Sequence, residues 1–382
     1  MKKSHSQIDE DQKIHIIYIN GGIMDLGGIS SYMMNYFRYI DHNKFQIDFI
    51  VHGDETGVYD EEIEENGSHI YRIPVKSKNY LKNKKELKKI FLENKYAIVH
   101  SHLDAGNYHI LKIAKQCGIE NRIAHSHNTE VLTNNKLKYY VNQFYRRHIH
   151  KVANICMACS QLAGGWLFGN DKKYIVIKNA IELKRFTFSE INRKHIRKKH
   201  NISDDYILIG HVGRFDKQKN HEFLIRVFSK LLVHNSKYRL MLVGDGVLRE
   251  KTEQQVIKLG IEDKVVFVGY NQNIESYYSA FDIFVLPSLF EGLGIVAIEA
   301  QANGIPCILA DSVPDEAVVA QNVEKISIDS ENQWIEGILK CCMERQNNYS
   351  VLVSAGYDIS VEVEKLQNLY KKISLGKRGE IF

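Results

Sequence analysis

Two carboxylates beside a glycine-rich turn are the residues of this chain best suited to chemistry. Glu291 and Glu299 enclose seven residues, and Gly292-Leu293-Gly294 follows the first carboxylate at once. The backbone N–H groups of 292–294 are expected to open a helix, where free donors and the helix dipole stabilise an anion such as phosphate. A carboxylate on each side of that loop can accept hydrogen bonds from hydroxyl groups. This combination predicts a site for a nucleotide-sugar.

The residues around this turn predict a strand followed by a helix. An apolar run at 281–286 ends at Pro287, which is typical of a buried strand and its turn. Apolar residues with helical spacing follow over 295–302. Glu291 is therefore expected on the loop after a strand, and Glu299 about two turns along the next helix.

A second motif supplies positive charge. Arg214 and Lys219 follow an apolar run at 206–212 and precede a predicted helix at about 220–234. Ligands of parallel α/β sheets bind at the carboxyl ends of the strands. Two cations at such a position can balance a diphosphate whose charge grows as its partner leaves. Taken alone, an Arg and a Lys in a loop indicate only an ordinary surface.

The first half of the chain carries a weaker glycine motif. Gly27-Gly28 opens a predicted helix at about 29–40, and such a pair can admit a phosphate to the helix N-terminus. The pattern is not G-x-G-x-x-G, and no convincing acidic ribose ligand ends the second strand. A dinucleotide-binding dehydrogenase is therefore disfavoured.

Histidines cluster at two predicted strand ends. The triplets are His100-Ser101-His102 and His125-Ser126-His127. The plainest interpretation is a set of histidines capped by backbone groups. Four imidazoles are also a donor set for a metal ion, but only if each strand continues, so that alternate residues share a face. The sequence gives no sign that the strands continue.

The segment 290–308 resembles the donor-site signature of retaining glycosyltransferases of family 4 (group 1), similar to bacterial capsular and exopolysaccharide transferases. The resemblance extends over about 14–345. It implies an α/β protein of the GT-B fold, with two facing Rossmann-like doubly wound domains and an interdomain cleft. It also implies a nucleotide diphosphate sugar, most often UDP-linked, as co-substrate, with no metal and no other cofactor.

The same resemblance implies a role for each motif residue. Glu291 is expected to contact hydroxyls of the donor sugar, and Glu299 those of the ribose. Arg214 and Lys219 match the Gly-Arg…Lys element of the family, whereas the offset of Lys217 does not. The expected catalytic residues are His127, Arg214, Lys219 and Glu291. The expected donor-binding residues are Gly27, Gly28, Arg214, Lys219, Glu291, Gly292, Leu293, Gly294 and Glu299.

Further positions agree with the family pattern or depart from it. His127 matches the first-domain histidine near the reacting sugar carbon, His102 should face the same cleft, and His125 is interpreted as structural. Gly244-Asp245-Gly246 resembles a Gly-Asp/Glu-Gly turn, to which we assign a structural role close to the nucleotide. The segment 179–182 reads Asn-Ala-Ile-Glu where the family usually has Asn-Gly-Val/Ile-Asp.

Composition limits the class of protein. With 382 residues, 44% hydrophobic and 25% charged, the chain suits two globular domains. No apolar run approaches the ~20 residues of a membrane span, and the polar segment 1–13 has no signal-peptide core. Six cysteines form no recognisable disulfide framework. We expect a cytoplasmic protein, peripheral at the inner face of the cell membrane.

Positive charge is concentrated in one segment. Seven lysines lie in 76–89, with Glu86 as the only acidic residue, while the whole chain carries a net charge of +5. Leucine and other apolar residues among the lysines indicate that part of the segment is an amphipathic helix. One interpretation is a solvated helix face, and the other is contact with an anionic membrane surface or a lipid phosphate. Nucleic acid is disfavoured, because no aromatic interleaving or known motif accompanies the charge.

Alternating strands and helices divide the chain into two series. Short apolar strands separated by helices predict parallel sheets with right-handed crossovers. We predict an N-terminal acceptor domain at 1–185 and a C-terminal nucleotide-sugar donor domain at 186–355. The tail 356–382 is predicted to return to the first domain through a helix at about 361–373.

The resulting hypothesis is a retaining, metal-independent glycosyltransferase. It would move a hexose or N-acetylhexosamine from a UDP-linked sugar to a polyprenyl-diphosphate-linked saccharide in surface polysaccharide biosynthesis. A non-transferring relative of the same fold, such as a nucleotide-sugar epimerase or a sugar-binding protein, is the first alternative. The second is a membrane or lipid adaptor that uses the lysine segment.

Overall fold

The computed structural model describes residues 13–129, 135–271 and 273–377. The chain forms two compact units. Unit 1 contains the described residues up to Ala180 together with those from Ile359 onward, and unit 2 is Ile181–Asp358. The sequence-based boundaries were placed after residues 185 and 355. No helix among the described residues is both long enough and apolar enough to cross a membrane.

Unit 1 is built around a seven-stranded parallel sheet, and its strand order is β3-β2-β1-β4-β5-β6-β7. Its strands are β1 (Ile14–Ile19), β2 (Phe45–His52), β3 (Ile70–Ile73), β4 (Ile98–Ser101), β5 (Asn121–Ser126), β6 (Ile155–Ala158) and β7 (Ile175–Val176). Its helices are α1 (Gly28–Tyr39), α2 (Asp60–Glu65), α3 (Tyr80–Glu93), α4 (Asn107–Gln116), α5 (Lys136–His148), α6 (Gln161–Phe168) and, after unit 2, α14 (Ile359–Ser374).

Both faces of this sheet are covered. Tyr32 and Phe37 of α1 pack with Leu366 and Tyr370 of α14 on one face. Side chains of α3, α4 and α6 cover the other face. The strand order reverses between β1 and β4, and this topological switch point is where doubly wound folds bind ligands.

Unit 2 has a six-stranded parallel sheet of order β10-β9-β8-β11-β12-β13. Its strands are β8 (Ile207–Val212), β9 (Tyr238–Val243), β10 (Val265–Gly269), β11 (Ile283–Leu286), β12 (Cys307–Ala310) and β13 (Val323–Ile326). Its helices are α7 (Glu190–Lys199), α8 (His221–His234), α9 (Arg249–Lys258), α10 (Ile274–Ala280), α11 (Ile295–Ala302), α12 (Glu331–Lys340) and α13 (Tyr349–Ser354). The switch point lies between β8 and β11, the strands that precede the two predicted donor motifs.

The predicted α/β class, with two Rossmann-like parallel sheets, is confirmed, and several details differ. The sequence analysis placed no strand at β3 or β13. Both are four-residue edge strands, half-exposed over most of their length, so neither produces an apolar run. Part of the lysine segment was predicted to be helical, and helix α3 begins within it at Tyr80, because the Asn79 side chain caps the helix by accepting from the Lys82 N–H at 3.0 Å.

Candidate active site

A buried ion pair joins the two predicted donor motifs of unit 2. The Lys219 ammonium donates to Glu291 Oε1 at 2.7 Å, and their side chains are only 14% and 6% exposed. Gln218 supports the same carboxylate with its amide, 3.3 Å from Oε2. The Gln218 side-chain amide also donates to the Phe290 carbonyl at 3.0 Å. The backbone carbonyl of Gln218 accepts from the Leu289 N–H at 2.8 Å. The loop after β8 is therefore fastened along the loop after β11.

Asp216 organises the basic loop after β8. One carboxylate oxygen accepts from the Lys219 N–H at 3.2 Å, and the other accepts from Arg214 Nε at 2.9 Å. Asn220, with φ of 55°, then turns the chain into α8. Arg214 remains exposed, whereas Lys219 is enclosed. The two cations thus lie on one loop, with different access to solvent.

The loop after β9 needs its glycines because backbone approaches backbone. A Cβ at Gly244, where φ is 139°, would lie 2.1 Å from the Gly213 carbonyl oxygen. A Cβ at Gly246 would lie 2.6 Å from the Phe215 carbonyl oxygen. The Phe215 N–H donates to the Asp245 carbonyl at 2.9 Å. The Gly-Asp-Gly turn therefore fixes the loop that carries Arg214.

Gly294 sets the start of α11. Its φ of 82° lies in the left-handed region, which favours glycine, and the helix begins at Ile295. The first N–H groups of a helix have no intrahelical partner, so this end can bind an anion. Leu293 is buried in the core of unit 2 and anchors the turn. Glu299 is the fifth residue of α11 and lies in its second turn, close to the predicted position about two turns along the helix.

Glu299 is buried against a tyrosine that the sequence analysis missed. Tyr278 of α10 donates to Glu299 Oε2 at 2.6 Å. Burial raises the pKa of Glu299 to about 7, and the Tyr278 hydrogen bond acts in the opposite direction. The carboxyl group therefore changes its charge near neutral pH.

In unit 1, Gly27-Gly28 lies at the start of α1. Gly27 is the N-cap, and its N–H donates to Asp25 Oδ1 at 2.9 Å. A Cβ at Gly28 would meet no atom within 4 Å. Packing within the described residues therefore does not require glycine at position 28.

The four histidines of the two triplets share one face of the unit 1 sheet. The ring centroids of His100 and His102 lie 4.2 Å apart, and those of His125 and His127 lie 4.3 Å apart. The ladder continues past β4, because the His102 N–H donates to the Ile19 carbonyl at 3.0 Å. Continuation of the two strands was not expected from the sequence, and that expectation was wrong for β4.

Hydrogen bonds divide these rings into two pairs. His100 Nε2 is 3.0 Å from His125 Nδ1, and His100 Nδ1 is 2.7 Å from the Tyr370 hydroxyl. His102 Nδ1 is 2.9 Å from His127 Nε2. Burial lowers the pKa of His127 to about 3, and burial also places the pKa values of the other three well below the usual range. All four rings are therefore neutral at pH 7.

The second pair, His102 and His127, cannot satisfy all of its own N–H groups by hydrogen bonding within the pair. Two neutral imidazoles carry two N–H groups, and one is used in the bond they share. The remaining N–H lies on His102 Nε2 or on His127 Nδ1, and both atoms are buried without a partner among the described residues. Since an unpaired buried donor costs free energy, the pair favours a ligand that supplies an acceptor.

This cluster is a poor metal site despite its composition. Ring nitrogens of His100, His102 and His125 lie within 4.8 Å of one another. A ligating imidazole points its lone pair at the metal from within the ring plane, but the rings of His100 and His125, nearly parallel at 9°, each use one nitrogen in their shared 3.0 Å hydrogen bond. His102 is stacked on His100 with an interplanar angle of 28°, so the lone pairs of these two rings lie in nearly parallel planes that do not converge on one point. The prediction that no metal is required stays a prediction.

Asp104 holds the loop that carries His127. Its Oδ1 accepts from the backbone N–H groups of His127 at 2.6 Å and Asn128 at 3.2 Å, and its Oδ2 accepts from Asn128 Nδ2 at 2.6 Å. Its φ of 50° is unusual for a residue other than glycine. Burial raises the pKa of this carboxyl, and the three hydrogen bonds oppose that shift.

The structure therefore brings Lys219 to Glu291 and His102 to His127. Three supporting residues were missed by sequence reasoning. Gln218 had a signal, since it lies beside Lys219 in a motif already identified. Tyr278 and Asp104 had none, because their partners are distant in sequence.

Comparison with known proteins agrees with these motifs. The sequence model of the family described as glycosyl transferases group 1 matches residues 192–356. The sequence model of glycosyltransferase family 4 matches residues 26–185. EpsF of Bacillus subtilis, named as a glycosyltransferase, is 31% identical over 368 residues, covering 93% of this chain and 96% of EpsF. The chain belongs to glycosyltransferase family 4. The predicted enzyme class, glycosyltransferase, is thereby confirmed.

One further relative and one solved structure each cover more than nine tenths of the chain. An Escherichia coli relative named UDP-Gal:alpha-D-GlcNAc-diphosphoundecaprenol alpha-1,3-galactosyltransferase is 22% identical, covering 99% of this chain and 100% of its own. Anabaena HepE, solved with UDP and glucose, superimposes with a TM-score of 0.77 at 16% identity, covering 93% of this chain and 99% of HepE. At that identity the likeness shows the fold alone, which is the predicted GT-B fold.

Proposed function

We propose that this glycosyltransferase transfers a hexose or N-acetylhexosamine, with retention, from a UDP-linked sugar to a lipid-linked saccharide in surface polysaccharide biosynthesis. The carrying observation is the buried Lys219–Glu291 pair at the switch point of unit 2. It places a cation and a hydroxyl acceptor side by side, as the junction between a diphosphate and its sugar requires. The family relatives named as transferases favour this over an epimerase or a sugar-binding protein.

The donor roles follow from charge and access. Arg214, Lys219 and the N-terminus of α11 neutralise the diphosphate as it leaves, so that no metal ion is required. Glu291, held by Lys219, accepts from hydroxyls of the sugar. Glu299, once ionised, accepts from the paired ribose hydroxyls. UDP is the proposed nucleotide because the E. coli relative is named for a UDP-sugar and HepE was solved with UDP.

Retention is assigned to attack on the face from which the leaving group departs. The bond from the anomeric carbon to the phosphate oxygen breaks, and the bond to the acceptor oxygen forms on the same side. The acceptor proton passes to the departing phosphate. His127, whose Nδ1 has no hydrogen-bond partner within the described part of the chain, is proposed to contact the sugar near the reacting carbon.

The proposed acceptor is a saccharide linked to a lipid diphosphate. The E. coli relative is named for an acceptor on diphosphoundecaprenol. An acceptor of that class lies at a membrane, and the seven lysines of 76–89 can attract unit 1 to anionic lipid.

The test is a donor and acceptor matrix. Purified protein is incubated with UDP-, GDP- and ADP-sugars, with and without a polyprenyl-diphosphate-linked N-acetylglucosamine, and nucleotide diphosphate release is measured. We expect release with UDP-sugars that rises when the acceptor is added, and an α-linked product by NMR. A changed free sugar formed without acceptor would instead identify an epimerase.

A further inference from the structure

Helix α5 of unit 1 is attached to the rest of that unit by a small number of side-chain contacts. None of its thirteen residues is fully buried. Tyr145 stacks on Tyr108 of α4, with ring centroids 5.0 Å apart, and the Arg146 guanidinium lies 4.7 Å from the ring centre of Trp166. These two residues attach the helix, and Phe144 adds an edge-to-face contact with the ring of Tyr108 at a centroid distance of 5.8 Å.

The outward side of α5 is apolar. Leu137, Tyr140 and Phe144 follow one another at helical spacing and are 73%, 69% and 50% exposed. Val141, between them, is also exposed. Single exposed apolar residues are ordinary, but a continuous stripe along one helix marks a surface that contacts another apolar phase.

The charged side chains of α5 itself are all basic. Lys136, Lys138 and Arg147 are exposed beside it, and the sequence 136–148 contains no acidic residue. An apolar stripe of aromatic and leucine side chains, edged by Lys and Arg, is the pattern of a helix that lies in the plane of a membrane surface. Two copies of this face would bring like charges together, which disfavours self-association through it.

The lysine segment contacts α5 on its attached side. The Lys76 ammonium is 3.3 Å from the Tyr145 hydroxyl and 4.9 Å from the centre of its ring. Helices α3, α4 and α5 pack side by side over the same face of the sheet. Leu81 of α3 is 77% exposed, beside the exposed Lys82 and Lys85.

We infer that α5 is a membrane-inserting helix. It lies parallel to an anionic bilayer with Leu137, Tyr140 and Phe144 below the headgroups, while the lysines of α3 contact the lipid phosphates. This inference deepens the proposed function, since it rests on an acceptor that is itself embedded in a membrane. It assigns apolar insertion to one helix and electrostatic attraction to another.

The first experiment compares vesicle binding of two triple variants of the full chain. The insertion variant carries Leu137→Ser, Tyr140→Ser and Phe144→Ser. The control carries Val233→Ser, Ile257→Ser and Leu259→Ser, which removes three exposed apolar residues from unit 2. Vesicles of phosphatidylcholine with phosphatidylglycerol should sediment wild type and control equally, and the insertion variant at least about tenfold more weakly. Calorimetry with UDP should give the same affinity for all three.

A second experiment measures depth directly. Tyr140→Trp should be quenched by brominated lipid more strongly than the native tryptophans of wild type. Equal sedimentation of the insertion variant and wild type, or no added quenching at position 140, would overturn the inference. So would a dimer that the insertion variant alone converts to monomer, since a second copy would then cover this face. If vesicles bind as expected but no UDP-sugar is used, the proposed function fails and the membrane helix stands.

Discussion

His102 and His127 share one hydrogen bond of 2.9 Å, between the Nδ1 of the first ring and the Nε2 of the second. This bond fixes the orientation of the His127 ring and couples the tautomers of the two imidazoles. If His102 Nδ1 donates in the shared bond, the second N–H of the pair lies on His127 Nδ1. If His127 Nε2 donates instead, the second N–H lies on His102 Nε2. His102 is therefore a positioning residue for His127.

The first prediction separates positioning from packing. His102→Phe should lower the kcat of transfer about tenfold with little change in donor KM, because the lost bond is worth roughly 1–1.5 kcal/mol. His100→Phe is the matched control, since it removes the other imidazole bond of the same buried cluster. Both variants should lose similar thermal stability, and only His102→Phe should lose turnover. Equal losses of kcat in the two would make His102 purely structural.

The second prediction concerns the charge on Glu299. Since burial raises its pKa to about 7, UDP affinity should rise between about pH 6 and pH 8, as the carboxyl loses its proton and becomes a stronger acceptor for the ribose. Glu299→Gln should weaken UDP binding at pH 8 by roughly 1.5–3 kcal/mol and abolish this component of the pH dependence. Calorimetry across pH tests both statements. An unchanged affinity in the variant would remove Glu299 from the site.

The third prediction uses the tyrosine that touches this carboxyl. The Tyr278 hydrogen bond lowers the pKa of Glu299, against the larger effect of burial. Tyr278→Phe should therefore move the midpoint of UDP binding to higher pH.

In the free enzyme the raised pKa of Glu299 means that the stability contributed by this carboxyl is present at low pH and is lost as pH rises toward 7. Glu299→Gln should reduce that loss in urea unfolding. For Tyr278→Phe, a pH midpoint of UDP binding that stays constant or falls would contradict the role assigned to Tyr278.

The fourth prediction distinguishes the two cations. Lys219→Ala and Arg214→Ala should each lower turnover by about 10²–10³, because each cation is proposed to act on charge that builds as the diphosphate leaves. They should differ in stability. Lys219→Ala leaves the buried Glu291 carboxylate without its cation and should cost roughly 3–5 kcal/mol, while the exposed Arg214 should cost little. A double variant that also carries Glu291→Gln should recover stability and not turnover.

The fifth prediction concerns metal removal. Transfer by the wild type should persist in excess EDTA, because protein cations and the N-terminus of α11 are proposed to carry the diphosphate charge. Adding Mg²⁺ or Mn²⁺ back should change the rate little. Abolition by chelator, followed by rescue with either ion, would establish a metal mechanism and remove the principal role proposed for Lys219.

Sequence reasoning identified the motifs and the elements that carry them. Apolar runs at 206–212 and 281–286 correctly predicted buried strands, since a parallel strand covered on both faces produces such a run. Glycines after those strands marked the loops, and the family resemblance supplied candidate roles. Edge strands β3 and β13 escaped because their half-exposed residues give no continuous apolar signal.

Only the tertiary structure decided which of these residues meet. Lys219 and Glu291 are 72 positions apart, and they pair because β8 lies beside β11 in the sheet although β9 and β10 intervene in the chain. His102 and His127 meet because β4 and β5, which are consecutive in the chain, pair side by side in the sheet. Tyr278 reaches Glu299 from a separate helix. Local pattern determines whether a segment is a strand or a helix, but the order of strands in a parallel sheet is set by long-range packing that no local window contains.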